Sequence, residues 1–342
     1  MQVKSLSVIC PIYNESIYIA SFIESILVQD YPKDDMEIIL VDGMSTDDSR
    51  VIIQSFVNNY DFIKLIDNPA KNVSQALNIG IKASIGEIII RVDAHCLYPL
   101  NYFSTLVKKL LELHADNVGG VVLTMPGNKS NIAQAISIAM SNVFGVGNSL
   151  FRIGSKSVKE VDTVPFGCFR RSIFDRMGYF DTDLVRNQDD EFNARIIKNG
   201  GKIYLIPSIE ITYFAREKVS KVAEMFYQYG LFKPLVFKKI GGSSTIRQFF
   251  PFIFVSGLIL GFSLSFFFIN LFWITATMVT LYYSLSLIFS AFEAIKYRNI
   301  RLIILLPYVF FVIHLSYGCG YIVGIFKFIL LKKNSFIVNV SR

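Results

Sequence analysis

At 342 residues and 52% hydrophobic composition, the chain is too apolar for one ordinary soluble domain. Its net charge of +7 divides unevenly: residues 1–215 hold 20 Lys and Arg against 24 Asp and Glu, and residues 216–342 hold 14 against 3. An acidic globular part excludes nucleic acid as a partner, and the basic remainder, attached to apolar runs, belongs against anionic lipid headgroups on the cytoplasmic face.

Strands and helices alternate from the start. Ser5–Cys10 reads as a short buried strand, with Pro11-Ile12-Tyr13-Asn14-Glu15 as the turn leaving it. Ile19, Phe22, Ile23, Ile26 and Leu27 have helical spacing. Glu37–Val41 predicts a second strand ending at Asp42, and Ser45-Thr46-Asp47-Asp48 a cap for a helix running to Asn58. Ile63–Ile66 is a third strand, Val73–Ala83 a helix and Glu87–Val92 a fourth strand. Repeated strand–helix–strand units imply an α/β fold with a mostly parallel, Rossmann-like sheet and helices on both faces. Ligands on such sheets bind beyond the C-terminal ends of the strands. No G-x-G-x-x-G follows the first strand and no P-loop motif occurs, which counts against the dinucleotide and P-loop readings.

Three of these strands end in polar residues: Tyr13-Asn14-Glu15, Asp42 and Asp93-Ala94-His95. Alternate residues of an extended chain point the same way, so Asp93 and His95 leave their strand on one side. A carboxylate and a neutral imidazole together suit Mn²⁺ or Mg²⁺. The alternative is that Asp93 caps the next turn and His95 is an ordinary loop residue. Asp42 suits a nucleobase imide or a ribose hydroxyl, or else caps the helix that follows it.

Pro11-x-Tyr13-Asn14-Glu15, Val41-Asp42-Gly43-Met44-Ser45-Thr46-Asp47, Asn78-x-Gly80, Ala83-x-x-Gly86-Glu87 and Arg91-Val92-Asp93-Ala94-His95 occur in that order. The series resembles the signature of family 2 glycosyltransferases, inverting nucleotide-sugar enzymes with the GT-A fold. The resemblance implies a donor site built from Pro11, Tyr13, Asn14, Glu15, Asp42, Lys71 and Asp93. Asp42 would take the uracil, Asp93 the ribose and metal, and His95 the metal, where the family has an Asp. Lys71 stands where relatives often carry a basic residue near the diphosphate, and is otherwise a solvated lysine.

Asn101–His114 reads as a helix, Gly120–Thr124 as a strand and Ile132–Phe144 as an apolar helix in a stretch covering the acceptor side. Val164-Pro165-Phe166-Gly167-Cys168-Phe169-Arg170-Arg171 is similar to the segment that enters the acceptor region in the exopolysaccharide, succinoglycan-type branch of the family. That places Phe166, Gly167, Arg170 and Arg171 on the acceptor side; the arginines would hold phosphate or else cap the helix Ser172–Met177. In Gln188-Asp189-Asp190-Glu191, aligning Arg195 with the family's arginine puts Asp189 on the catalytic base, with Gln188 and Glu191 beside the acceptor. Asp190 falls at a variable, surface position.

Lys202–Ile206 closes the globular part, taken as residues 1–215. Residues 216–248 read as an interfacial amphipathic helix broken at Gly230 and Pro234, with Gln228 and Lys233 in a segment that closes over the donor in membrane-bound relatives. Residues 249–292 and 302–326 contain no Asp, Glu, Lys or Arg, enough for two spans and one, within a membrane region 249–331. Asn270 marks the turn between the first two, and residues 332–342 form a basic tail. Positive charge flanks all three runs, so three full spans cannot keep it on one side. Pro307 with Gly318, Gly320 and Gly324 marks a segment that kinks or re-enters. The four cysteines include no C-x-x-C pair and fit a reducing compartment, and no secretory signal is visible.

The expectation is a metal-dependent inverting glycosyltransferase on the inner membrane with its catalytic domain in the cytosol. It would move sugar from a nucleotide-sugar, expected to be a UDP-sugar, to a hydroxyl of a polyprenyl-diphosphate-linked glycan. Two other readings stand beside it: a polyprenyl-phosphate sugar synthase, and a non-catalytic scaffold that binds nucleotide-sugars.

Overall fold

The computed structural model describes residues 5–242 and 245–333. The chain forms two compact units, Met1–Leu123 with Gly154–Tyr213, and Thr124–Ile153 with Phe214–Arg342.

The first unit is built on a nine-stranded mixed sheet. β1 (Leu6–Ile12), α1 (Ile19–Leu27), β2 (Met36–Asp42), α2 (Ser49–Val57), β3 (Ile63–Asp67), α3 (Val73–Ala83) and β4 (Ile88–Arg91) follow in chain order. Their strands lie in the spatial order β3-β2-β1-β4, all parallel. Helical crossovers between successive strands produce that arrangement, and β2 is buried at every position because both its sides are covered. Pro11 costs no ladder bond: β4 pairs with β1 only as far as Ile9, so nothing there needs the missing N–H.

β5 (Cys96–Leu97), α4 (Tyr102–Glu112) and β6 (Asn117–Met125) follow. Next come α5 (Asn131–Ala139), α6 (Val143–Val146), α7 (Leu150–Ile153), β7 (Lys159–Glu160), β8 (Cys168–Arg170), α8 (Ser172–Met177), α9 (Gln188–Lys198) and β9 (Ile203–Phe214). This half of the sheet is antiparallel: β8 pairs with β4 and β6, and β9 with β5 and β7. Strand–helix alternation is diluted there, and β5, β7 and β8 are too short to carry an alternation signal in the sequence.

A buried carboxylate holds the parallel half together. Glu37 on β2 accepts from Ser7 Oγ on β1 at 2.6 Å, from the Ile85 N–H at 2.6 Å and from Lys64 Nζ on β3 at 2.8 Å. Burial works against its charge, but these donors outweigh burial and hold its pKa below the usual carboxylate range. Gly86 N–H donates to the same Ser7 hydroxyl, and a Cβ on Gly86 would fall 2.6 Å from Ser7 N. Gly86→Ala should therefore destabilise the unit by about 1–3 kcal/mol. A detergent-solubilised thermal midpoint unchanged from the native chain would refute this.

The second unit contains α5 to α7 and the helices α10 (Val219–Ile240), α11 (Phe250–Ser265), α12 (Ile269–Lys296) and α13 (Leu302–Gly324). A π-helical turn, Ile325–Leu330, extends α13. Several expectations change here. α10 is unbroken through Gly230 and Pro234, because Gly230 lies against the Tyr317 carbonyl and the Pro234 ring packs on Gly324. The turn after α11 is formed by Phe266–Phe268, and Asn270 opens α12 instead. The apolar stretch 132–144 splits into α5 and α6, with the Asn142 side chain capping α6. α13 runs through Pro307 as one helix. From residue 334 onward, the expected basic tail lies outside the described residues.

Candidate active site

The turn after β1 and the loop after β2 brace each other. Asn14 N–H donates to Ser45 Oγ at 2.8 Å, Glu15 N–H to Ser49 Oγ at 2.7 Å and Ser16 N–H to Asp47 Oδ2 at 3.0 Å. Thr46 N–H donates back to Asn14 Oδ1 at 2.9 Å. Burial acts against the Asp47 charge, yet the donors of Ser49 and Ser16 pull its pKa down to about 2. Positive φ angles collect in the loops around this end of the sheet, at Asn14, Met44, Lys71, Phe166 and Asn187. Left-handed backbone at a bulky residue such as Phe166 persists only where its surroundings hold it.

That bracing brings Glu15 to the end of β4. His95 Nδ1 lies 3.0 Å from Asp93 Oδ1 and 3.6 Å from Glu15 Oε1, and ligand atoms of the three residues fall within 4.8 Å of one another. Two carboxylates and an imidazole at this spacing fit one hard divalent cation. Burial disfavours the imidazolium, but the Asp93 charge with hydrogen bonds to Asp93 and Glu15 pushes the His95 pKa up to about 9. A proton and a metal ion therefore compete for the cluster. The Tyr98 hydroxyl, buried among Phe22, Tyr102 and Phe166, accepts from Asp93 N–H at 2.7 Å and fixes the turn.

Asp189, at the first turn of α9, pairs with Arg91 Nη1. Arg91 is buried on β4 with its guanidinium 5.5 Å from the Phe166 ring centre. Burial raises the Asp189 pKa and the Arg91 charge opposes that rise, with the net shift upward. α3 positions this segment: Asn78 exchanges two hydrogen bonds with the Phe180 backbone, 2.8 and 2.9 Å, and Ser74 Oγ donates to Leu184 O at 2.8 Å. Asn193 ties α9 to Asn117 on β6 and to Thr163 Oγ1, each at 2.8 Å.

Asp42 is fully buried at the end of β2 and accepts from Ser45 N–H at 3.0 Å, Ser45 Oγ at 2.5 Å and Arg50 Nη1 at 2.6 Å. Arg50 also reaches Asp67 Oδ1 at 2.8 Å. Lys71 Nζ stands 5.8 Å from the Tyr13 ring centre.

The remaining expected residues divide. Phe166 and Gly167 adjoin the cluster, since Gly167 O accepts from Arg91 N–H at 3.0 Å. Arg170 and Arg171 do not. Arg170 pairs with Ile88 at the opposite end of β4 and donates to Ala115 O and Leu110 O, each 3.2 Å. Arg171 donates to Gly86 O at 2.6 Å and Ser84 Oγ at 2.7 Å. Both guanidiniums satisfy carbonyls and hydroxyls near the ends of α3 and α4, not of the Ser172–Met177 helix. Glu191 is tied to Arg195, Nη2 to Oε2 2.5 Å, and Arg195 in turn holds Tyr179 O at 3.0 Å; Gln188 is buried beside it. Gln228 and Lys233 are buried on α10 within the second unit.

Arg91 and Arg50 were given no role from the sequence. For Arg91 the signal was present: it ends the apolar run of β4 two residues before Asp93. For Arg50 there was none, since it is the second residue of an ordinary helix.

The sequence model described as Glycosyl transferase family 2 matches residues 7–178. The dolichyl N-acetyl-alpha-D-glucosaminyl phosphate 3-beta-D-2,3-diacetamido-2,3-dideoxy-beta-D-glucuronosyltransferase of Methanococcus voltae is 30% identical over 330 residues, 94% of this chain and 97% of that one. The succinoglycan biosynthesis protein ExoA of Rhizobium meliloti is 27% identical over 247 residues, 71% of this chain and 73% of that one. Among solved structures, the mannosyltransferase PcManGT of Pyrobaculum calidifontis, in complex with GDP-Man and Mn²⁺, aligns with a TM-score of 0.62 at 18% identity, over 96% of this chain and 88% of that one. The last likeness shows a shared GT-A fold.

Proposed function

The chain belongs to glycosyl transferase family 2, and from that premise we propose a membrane-held inverting transferase that moves sugar from a nucleotide-sugar, expected to be a UDP-sugar, to a hydroxyl of a lipid-linked glycan. One observation carries this reading: the Glu15–Asp93–His95 cluster and the Arg91-bound Asp189 stand together at the C-terminal end of β4. The Methanococcus relative is named for an acceptor sugar on dolichyl phosphate, and the long apolar helices here would keep the site near such a lipid. The cytosolic face of the inner membrane is the expected location, and a polyprenyl diphosphate the expected carrier.

Asp93 and His95, joined by Glu15, would hold Mn²⁺ or Mg²⁺ against the donor diphosphate. The bound ion would supply charge neutralisation to the leaving nucleoside diphosphate. Asp189 accepts the proton of the acceptor hydroxyl as that oxygen forms its bond to the anomeric carbon and the bond from that carbon to the diphosphate oxygen breaks on the opposite face. Arg91 fixes the Asp189 carboxylate, and its charge opposes the rise in pKa that burial causes. Tyr13, Asn14 and Lys71 line the donor edge, and Asp42 with Arg50 shapes the loop beneath the base.

The test is transfer from a panel of labelled nucleotide-sugars into the lipid fraction of membranes carrying the chain, with Mn²⁺, Mg²⁺ or chelator. Metal-dependent transfer from one donor is expected. Nucleotide-sugar binding without turnover for any donor would sink the enzyme reading in favour of a scaffold.

Arg91→Gln gives a separate check with a worked sign. The guanidinium opposes the rise in the Asp189 pKa, so its removal lets that pKa climb further. The base works only when deprotonated, so the acidic limb of the kcat profile should move toward neutral pH. An unmoved limb with lowered kcat would mean that Arg91 only supports the fold.

A further inference from the structure

Among the described residues, three helices suffice by length and composition to cross a bilayer: Ile246–Ser265, Ile269–Lys296 and Leu302–Leu330. They are not alike. Of the most apolar window in each, 11% and 17% is buried in the first two, and 44% in the third. α13 is the axis of the second unit: α10 and residues 124–153, which are not among the helices able to cross, lie along its two halves, while α11 and α12 meet its middle, where Gly318 lies against Pro251 and Val255 and Tyr282 bonds His314.

Its second half lies along α10. A methyl group on Gly320 would overlap the Tyr227 carbonyl oxygen, one on Gly324 the Leu231 carbonyl oxygen, and one on Gly230 the Tyr317 carbonyl oxygen. Phe232 and Phe328 have ring centres 5.8 Å apart. The paired positions rise together, 227 with 320, 231 with 324 and 232 with 328, so the two helices run side by side in one direction and share a depth. Such close approach is what small residues at a helix interface permit. α10 carries Lys221, Glu224, Lys233, Lys238 and Lys239, and it is not among the helices apolar enough to cross.

Its first half lies along residues 124–153, an excursion whose longest helix, α5, has 9 residues. Phe144 packs on Phe310 at 5.0 Å and His314 at 5.6 Å, and Asn299, just before α13, donates to Asn131 Oδ1 and Gln134 Oε1, each 2.8 Å. Just before α11, Arg247 Nη1 donates to Asn148 Oδ1 at 3.1 Å. Non-crossing chain therefore accompanies both halves of α13. By contrast, past Leu258 and before Met278, α11 and α12 meet each other at Gly261 and Thr275, and Phe266 and Phe267 at their turn are 89% and 80% exposed.

We propose that α13 does not carry the chain across the bilayer: it lies at the membrane surface beside α10, and residue 333 stays on the same side as the 124–153 excursion. α11 and α12 are then the helices that enter hydrocarbon. Arg247, Lys296, Arg298, Arg301, Lys332 and Lys333 all fall on one face, which removes the conflict with positive-inside placement that three spans create. Three spans would also require α10 to take its charged side chains into the bilayer beside α13. This inference goes beyond the catalytic reading and does not rest on it.

Lys333→Cys and Lys129→Cys, made separately in the full chain, test it with a membrane-impermeant maleimide applied to intact cells and to inverted vesicles. The native cysteines are buried or half-buried, so background labelling is low. Labelling of both positions from the same side is expected; labelling of Lys333→Cys from the side opposite Lys129→Cys overturns the proposal. An epitope after residue 342 of the native chain, clipped by protease from one side, reads the same sidedness without altering α13. Clipping from the side opposite Lys129→Cys overturns it equally.

Discussion

Asp189→Asn is expected to leave nucleotide-sugar binding unchanged and to slow sugar transfer by about 10²–10⁴-fold, the range that a positioned general base supplies. The amide keeps the shape of the carboxylate but cannot take the acceptor proton. The partner in the structure makes the variant informative. Arg91 is buried against the partly exposed Asp189 and would keep a hydrogen-bond acceptor in the Asn carbonyl, so the local fold should survive. Binding should be measured on the same membranes, because a loss of donor affinity would mean that removing the charge disturbed Arg91 and, through it, Asp93. Transfer that persists in the variant would point to a phosphate acceptor. A phosphate oxygen is already ionised and needs no base, as in a polyprenyl-phosphate synthase.

Asp93→Asn should abolish both Mn²⁺ binding and metal-dependent transfer. Neutralising a leaving diphosphate by a metal is worth several kcal/mol, so a loss of about 10²–10³-fold is the expected scale. The two effects must be read separately. Mn²⁺ binding, followed by electron paramagnetic resonance of the purified chain, reports the cluster itself, whereas transfer also depends on Asp189. Asp93 is shared between His95 and the turn fixed by Tyr98, but the turn is held through the Asp93 backbone, which the substitution leaves in place. If Asp93→Asn keeps its Mn²⁺ signal and loses transfer, the metal sits elsewhere and Asp93 serves the donor alone. His95→Asp restores the acid common in the family and should retain the metal, with the cluster one charge more negative.

The parallel half of the first unit was legible in the sequence because its central strands are apolar runs and each crossover helix has a clear period. Glu15, by contrast, was placed with the donor. Its approach to His95 depends on the bracing of Asn14 and Glu15 by Ser45 and Ser49, more than thirty residues away, and no local pattern carries that. The adjacent arginines, Arg170 and Arg171, have the composition of a phosphate site. The register of β8 against β4 puts them at the wrong end of the strand, where they satisfy backbone carbonyls.

The sequence by itself determined the family, the alternation of strands and helices, the position of the Asp-x-His pair at a strand end and the apolar runs of the C-terminal part. These are properties of short windows, where residue type, period and spacing report burial and chain direction directly. Only the tertiary structure decided which charges meet: Asp189 with Arg91, Asp42 with Arg50, and Glu15 with His95. It also decided that the most apolar run is the covered axis of its unit, because hydropathy measures the wish to leave water and not whether lipid or protein provides the shelter.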